Sequence, residues 1–212
     1  MPVRDRRELR KTLLAVAGPQ SGYFTAAQAL KAGYSYPAQH YHALRSNWLH
    51  IDRGLYRLPE WPPSTHEDLV RWTLWSRQKG VVSHDTALVV HGLGDVNPEK
   101  VHLTVPRGFR ANAEGVVLHR GVVESSEREE HTGFLVTTPL RSLVDVAAGT
   151  LDLDQLATAL SEAMRRGLVT AQRLRSRADA ADHRAALRIE RALAQSDPAN
   201  PRSVSMRKLD LD

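Results

Sequence analysis

The sequence predicts an α+β protein in two parts. A small helical head closed by a hairpin comes first, then a mixed α/β domain with a small sheet and several helices. Three observations predict this. The apolar period is helical up to residue 46, becomes β-like from Trp48 to Leu58, and turns helical again from His66. Pro59, Pro62 and Pro63 around Trp61 break regular structure and mark a boundary. The charge is divided at the same place: residues 1–60 hold nine Lys/Arg against Asp5, Glu8, Asp52 and Glu60, whereas the rest of the chain is balanced within a net charge of +5.

Asp5 to Ala17 reads as a helix, with Leu9, Leu13, Leu14 and Val16 on one side and Arg6, Arg7, Arg10 and Lys11 on the other. Gly18-Pro19 stops it. Tyr23-Phe24 is a short extended piece, after which Thr25 caps a helix from Ala26 to Ala32 that Gly33 ends. Ser35 caps a third helix over about Tyr36–Ser46, with Pro37 in the first turn and Asn47 as a left-handed cap. Residues 48–51 and 55–58 form a hairpin turned at Asp52-Arg53-Gly54, where Gly54 supplies a positive φ. Three helices followed by a hairpin is the order of a winged helix-turn-helix.

In the second part, Ser64 or Thr65 caps a helix from His66 to Gln78. Val81-Val82 leads to a cap at Ser83, and strands are expected at 101–105, 116–119 and 133–136. Further helices are expected from Ser83 to His91, from Thr138 to Ala147, from Asp154 to Arg166, shortly after Thr170, and from Asp182 to Gln195. The boundaries are therefore set at 1–62, 63–195 and a loose tail, 196–212.

The chain has no cysteine, which excludes disulfides, thiolate metal sites and cysteine nucleophiles and fits a reducing cytoplasm. No apolar run approaches the roughly 20 residues of a membrane span. Met1–Lys11 lacks the apolar region of a secretory signal, so neither membrane nor export is expected. The basic surplus suits a polyanion, although charge alone does not separate such a partner from a solvated basic face. The element order adds a specific face. The third helix would project into a major groove, carrying Tyr36, Gln39, His40, Tyr41, His42, Arg45 and Ser46, with Ala38 and Leu44 turned inward. Gln suits adenine and Arg guanine through bidentate geometry. Lys31, Arg53 and Arg57 would grip phosphates. The alternative is a polar solvated helix in a packing module.

No catalytic constellation stands out. His84, His91, His102, His119 and His131 show no H-E-x-x-H or H-x-H spacing, so no metal or other cofactor is expected, and His84 reads as a brace beside Ser83. Glu124, Glu127, Glu129 and Glu130 read as a solvated acidic loop rather than a nuclease site. Arg165, Arg166, Arg173, Arg175, Arg177, Arg184, Arg188 and Arg191 form a basic strip open to three readings: a nucleic-acid contact, a partner surface, or a helix face balanced by Glu162, Asp179, Asp182 and Glu190.

Five segments in order resemble the AbiEi family of antitoxins: Gly22–Leu30, Leu44–Leu58 with its Arg53-Gly54-Leu55-Tyr56 wing, Val81–Ala87 with His91-Gly92-Leu93, Val101–Pro106, and Val136–Asp145. The resemblance spans about residues 10–170. It implies a type IV toxin–antitoxin system, in which the winged helix represses its own operon by binding promoter repeats. It also implies a C-terminal domain that counters a nucleotidyltransferase toxin, without stable direct binding as the usual picture. It implies a non-enzymatic, cytoplasmic protein whose DNA face is Tyr36, Gln39, His40, His42 and Arg45 with Arg53 and Arg57. The alternative is a stand-alone transcriptional regulator whose second domain senses a ligand or dimerises.

Overall fold

The computed structural model describes residues 5–196. The chain divides into two compact units, one running to Gly80 and including Glu130–Leu135, the other formed by Val81–Glu129 and the chain from Val136. Of the expected tail, only Ser196 is described, as the last residue of a helix; the remainder lies outside the described residues.

In the first unit, α1 (Arg6–Ala17) is capped by the Asp5 carboxylate, which accepts from Arg7 N. β1 (Tyr23–Thr25) leads into α2 (Ala26–Ala32) through a reciprocal cap: Thr25 Oγ1 accepts from Gln28 N, and Gln28 Oε1 accepts from Thr25 N. Gly33, with φ 108°, closes α2. Ser35 then caps α3 (Tyr36–Leu44), with Pro37 in its first turn. β2 (Leu49–Asp52) and β3 (Leu55–Arg57) form the hairpin, and β3 lies between β1 and β2, antiparallel to both. This order is compatible with a winged helix-turn-helix. α4 (Glu67–Trp75) also groups with this unit. Leu13, Phe24, Ala29, Tyr34, Trp48 and Leu58 form the core. Trp48 is its hub, edge-on to Phe24 at 4.9 Å and to Tyr34 at 5.0 Å.

Three local expectations change. α3 ends at Leu44 rather than near Ser46, and the left-handed residue is Ser46, with φ 55°, not Asn47. α4 stops at Trp75 because Arg77 and Gln78 are left-handed and the Ser76 hydroxyl spans Thr73 O and Gly80 N.

The second unit carries β4 (Val81–Val82), α5 (His84–His91), β5 (Val101–Val105) and β6 (Val116–Arg120). β7 (Arg128–His131) and β8 (Phe134–Thr137), whose residues 130–135 group with the first unit, come next, followed by α6 (Pro139–Ala148). α7 (Leu153–Arg165), α8 (Ala171–Asp179) and α9 (His183–Ser196) complete it. The sheet order is β6-β5-β4-β8-β7, with β5–β6 and β4–β8 parallel and β4–β5 antiparallel. β7 is a strand the sequence reading missed: Arg128-Glu129-Glu130-His131 has no apolar alternation because it is an exposed edge. Leu88, Leu143, Leu156, Leu160, Leu174 and Ile189 are fully buried and make α5–α9 one helical layer.

Candidate nucleic-acid interface

α3 has two unlike faces. Tyr36, His40 and Leu44 follow one another at four-residue intervals, with Pro37, Tyr41 and Arg45 beside them, and all six are exposed. Ala38, Gln39, His42 and Ala43 occupy the opposite side, where Gln39 is only 2% exposed. The Arg45 guanidinium lies 5.8 Å from the centre of the Tyr41 ring, which restrains it along the exposed face. Beyond α3 the face continues into a shallow groove bordered by Tyr36, His40, Leu44, His50 and Tyr56.

Of the residues expected to meet DNA, Tyr36, His40, Arg45 and Ser46 are exposed on or just beyond α3, with Lys31 on α2 and Arg53 at the hairpin tip also exposed. Three do not fit that role. Gln39 Nε2 donates to Tyr34 O at 2.9 Å and to Ala26 O at 3.1 Å, so this amide fastens α3 to the turn and helix before it and reads nothing outside. His42 stacks on Trp48, with ring centres 4.8 Å apart and planes 14° apart, and its Nδ1 meets Asn47 Nδ2. Burial, followed by the Arg6 charge, holds its pKa below the ordinary histidine value. Arg57 pairs with Glu67 at 2.7 Å, its side chain 14% exposed, and also donates to the Ser21 and Pro62 carbonyls. It is a structural clamp rather than a phosphate grip. Leu44 departs in the other direction: 71% exposed, it faces out where an inward position was expected. The four-residue interval from Tyr36 to Leu44 was the signal that would have placed it.

The electrostatics of this face are one-sided. No aspartate or glutamate occurs from Leu9 to Ile51, a span that includes all of α2 and α3 and contains Arg10, Lys11, Lys31 and Arg45. The first carboxylate after it, Asp52, accepts a hydrogen bond from Arg53 N. A polyanion approaching α3 meets no opposing side-chain charge from this stretch.

The second unit gathers polar groups of another kind. His84, at φ 53°, stacks on His119 with ring centres 3.4 Å apart, and His119 Nε2 lies 3.2 Å from His102 Nδ1. His84 Nδ1 is 2.9 Å from Ser83 Oγ, which also accepts from Thr104 Oγ1, so His84 does brace its helix start. Desolvation, followed by the neighbouring imidazoles, pushes His84 down to about 2, and desolvation with His102 pushes His119 down to about 4. His102 is also lowered by burial, against the pull of Asp85. Among the described residues no three His, Cys, Asp or Glu side chains are arranged to hold a metal.

Glu127 is not solvated as expected. It takes Arg141 at 2.6 Å and Arg177 at 2.6 Å, while Arg141 also binds Asp145 at 2.8 Å. Asp145 is held above the ordinary carboxylate value by burial, against the pull of Arg141. The basic strip divides in the same way. Arg175 pairs with Glu190, Arg166 donates to the His91 and Gly92 carbonyls, and Arg188 donates to those of Ala147, Gly149 and Leu151. Arg165, Arg173, Arg184 and Arg191 remain exposed.

The RV2827C protein from Mycobacterium tuberculosis, known from a crystal structure, matches with a TM-score of 0.61 over 95% of this chain and 81% of that one. At 15% identity it establishes a shared fold. No curated protein matches. The model of the AbiEi antitoxin C-terminal domain matches residues 80–195, more than half of the 212-residue chain. The chain therefore belongs to the AbiEi antitoxin family.

Proposed function

We propose that this antitoxin binds duplex DNA through its first unit, with α3 in the major groove and the β2–β3 hairpin against the backbone, and so represses its own operon. The observation that carries the reading is the exposed side of α3, set within a span free of carboxylates from Leu9 to Ile51. Base edges are met by Tyr36, His40, Tyr41, Leu44 and Arg45, with Ser46 at the margin, while Lys31 and Arg53 hold phosphates. The second unit counters a nucleotidyltransferase toxin encoded beside it, as in a type IV system, and needs no stable complex to do so. The protein acts in the cytoplasm, on promoter repeats.

Gel-shift titration of the full chain against its own upstream region tests the DNA reading. Arg45→Ala should weaken specific binding by about 1–3 kcal/mol and relax base preference. Arg53→Ala should weaken all sequences alike and lower the salt slope by about one. Equal affinity of wild type and both variants for the promoter would exclude this interface. Co-expression with the adjacent toxin tests the second role, and failure to restore growth would refute it.

A further inference from the structure

We propose that α3 selects its operator by contact with thymine C5-methyl groups rather than by an amide–adenine pairing. This rests on the duplex-DNA reading above and states what α3 recognises there.

The only amide side chain on α3 is Gln39, and it is buried, with its Nε2 donating to Ala26 O and Tyr34 O. No exposed Asn or Gln on this helix can offer adenine a bidentate contact. No carboxylate is present to accept from cytosine. Arg45 alone matches guanine. Apart from the His40 imidazole, the rest of the exposed face is carbon-rich: Tyr36 is 65%, Tyr41 55% and Leu44 71% exposed. The apolar group that a major groove presents is the thymine methyl. The charge of this segment favours DNA over a protein as the occupant. The face lies in a span with no carboxylate; Arg45 lies on it, and Lys31 on α2 and Arg53 at the hairpin tip are exposed in the same unit.

The test compares the full chain on its own promoter duplex prepared with thymidine or with deoxyuridine, which deletes the methyl and keeps every hydrogen-bonding group. Each buried methyl is worth about fourfold in affinity. Replacing all thymines should therefore weaken binding on the order of tenfold or more. Leu44→Ala should weaken binding to the thymidine duplex and bring the two affinities together. Circular dichroism should remain that of wild type, because Leu44 makes little of the core. Lys31→Ala should weaken both duplexes and keep their ratio. Equal wild-type affinity for the two duplexes overturns the thymine reading while DNA binding stands. Absence of binding to the thymidine promoter overturns both. A dimer that Leu44→Arg converts to a monomer with promoter affinity unchanged assigns the face to a second copy of the chain and also overturns the proposal.

Discussion

Gln39 and Arg57 belong to the groups most often assigned to DNA recognition, and in this chain both hold the fold together. Removing the Gln39 amide strands the Tyr34 carbonyl in a buried place and removes a second acceptor contact at Ala26 O. Gln39→Ala should cost about 1–3 kcal/mol in chemical denaturation. A variant of unchanged stability with altered base preference would return Gln39 to the groove. Arg57→Ala leaves Glu67 without its partner in a largely covered site. It should lower stability by about 2–4 kcal/mol and leave the salt slope of DNA binding unchanged. A reduced slope with unchanged stability is the contrary result. Residue type suggested both roles; only packing separates them, that of Gln39 against the Ala26 and Tyr34 carbonyls and that of Arg57 against Glu67.

At the scale of elements, the helix starts were legible because capping is local. Thr25 with Gln28, Ser35, Thr138, Asp152 and Thr170 each accept from a backbone N–H two or three residues on, a relation written in the sequence itself. Helix ends were less so. Ser46, Arg77 and Gln78 take left-handed conformations that their residue types do not announce. β7 was hidden because its only duty is to lie beside β8 at a sheet edge. The C-terminus of α6 depends on a distant residue in the same way. Arg188 of α9 donates to Ala147 O at 3.2 Å, to Gly149 O at 2.7 Å and to Leu151 O, filling carbonyls the helix leaves open. Arg188→Ala should destabilise the second unit by about 2–3 kcal/mol, and Lys should recover part of the loss. Equal melting temperatures for wild type and Arg188→Ala would show that water serves these carbonyls as well.

For the molecule as a whole, the clustered imidazoles of His84, His102 and His119 set a pH dependence. His84 near 2 and His119 near 4 lie below their unfolded value of 6.5. The unfolded chain therefore binds more protons below that value, and stability falls as pH falls. It should be full above pH 6.5 and decline from there toward pH 4, with a slope of up to about 1.4 kcal/mol per pH unit for each histidine. Glu127, lowered by Arg177 and Arg141 against its own burial, adds a loss only below its ordinary value of 4.5. Denaturation midpoints from pH 7.5 to 5 provide the measurement. His119→Asn should flatten the decline, and a midpoint independent of pH in wild type would contradict it.

The first unit is not one stretch of chain. Residues 130–135 belong to it, with Gly133 set closely against Pro19 O and Val70 and with the Phe134 ring 5.7 Å from that of His66. During synthesis the head therefore waits, incomplete, until the ribosome has released residue 135, well into the antitoxin domain. A nascent chain stalled before that point has every residue of α3 and lacks the segment that sets against Pro19, His66 and Val70. Translation itself thus sets an order, in which the head is completed only after much of the second unit has been made.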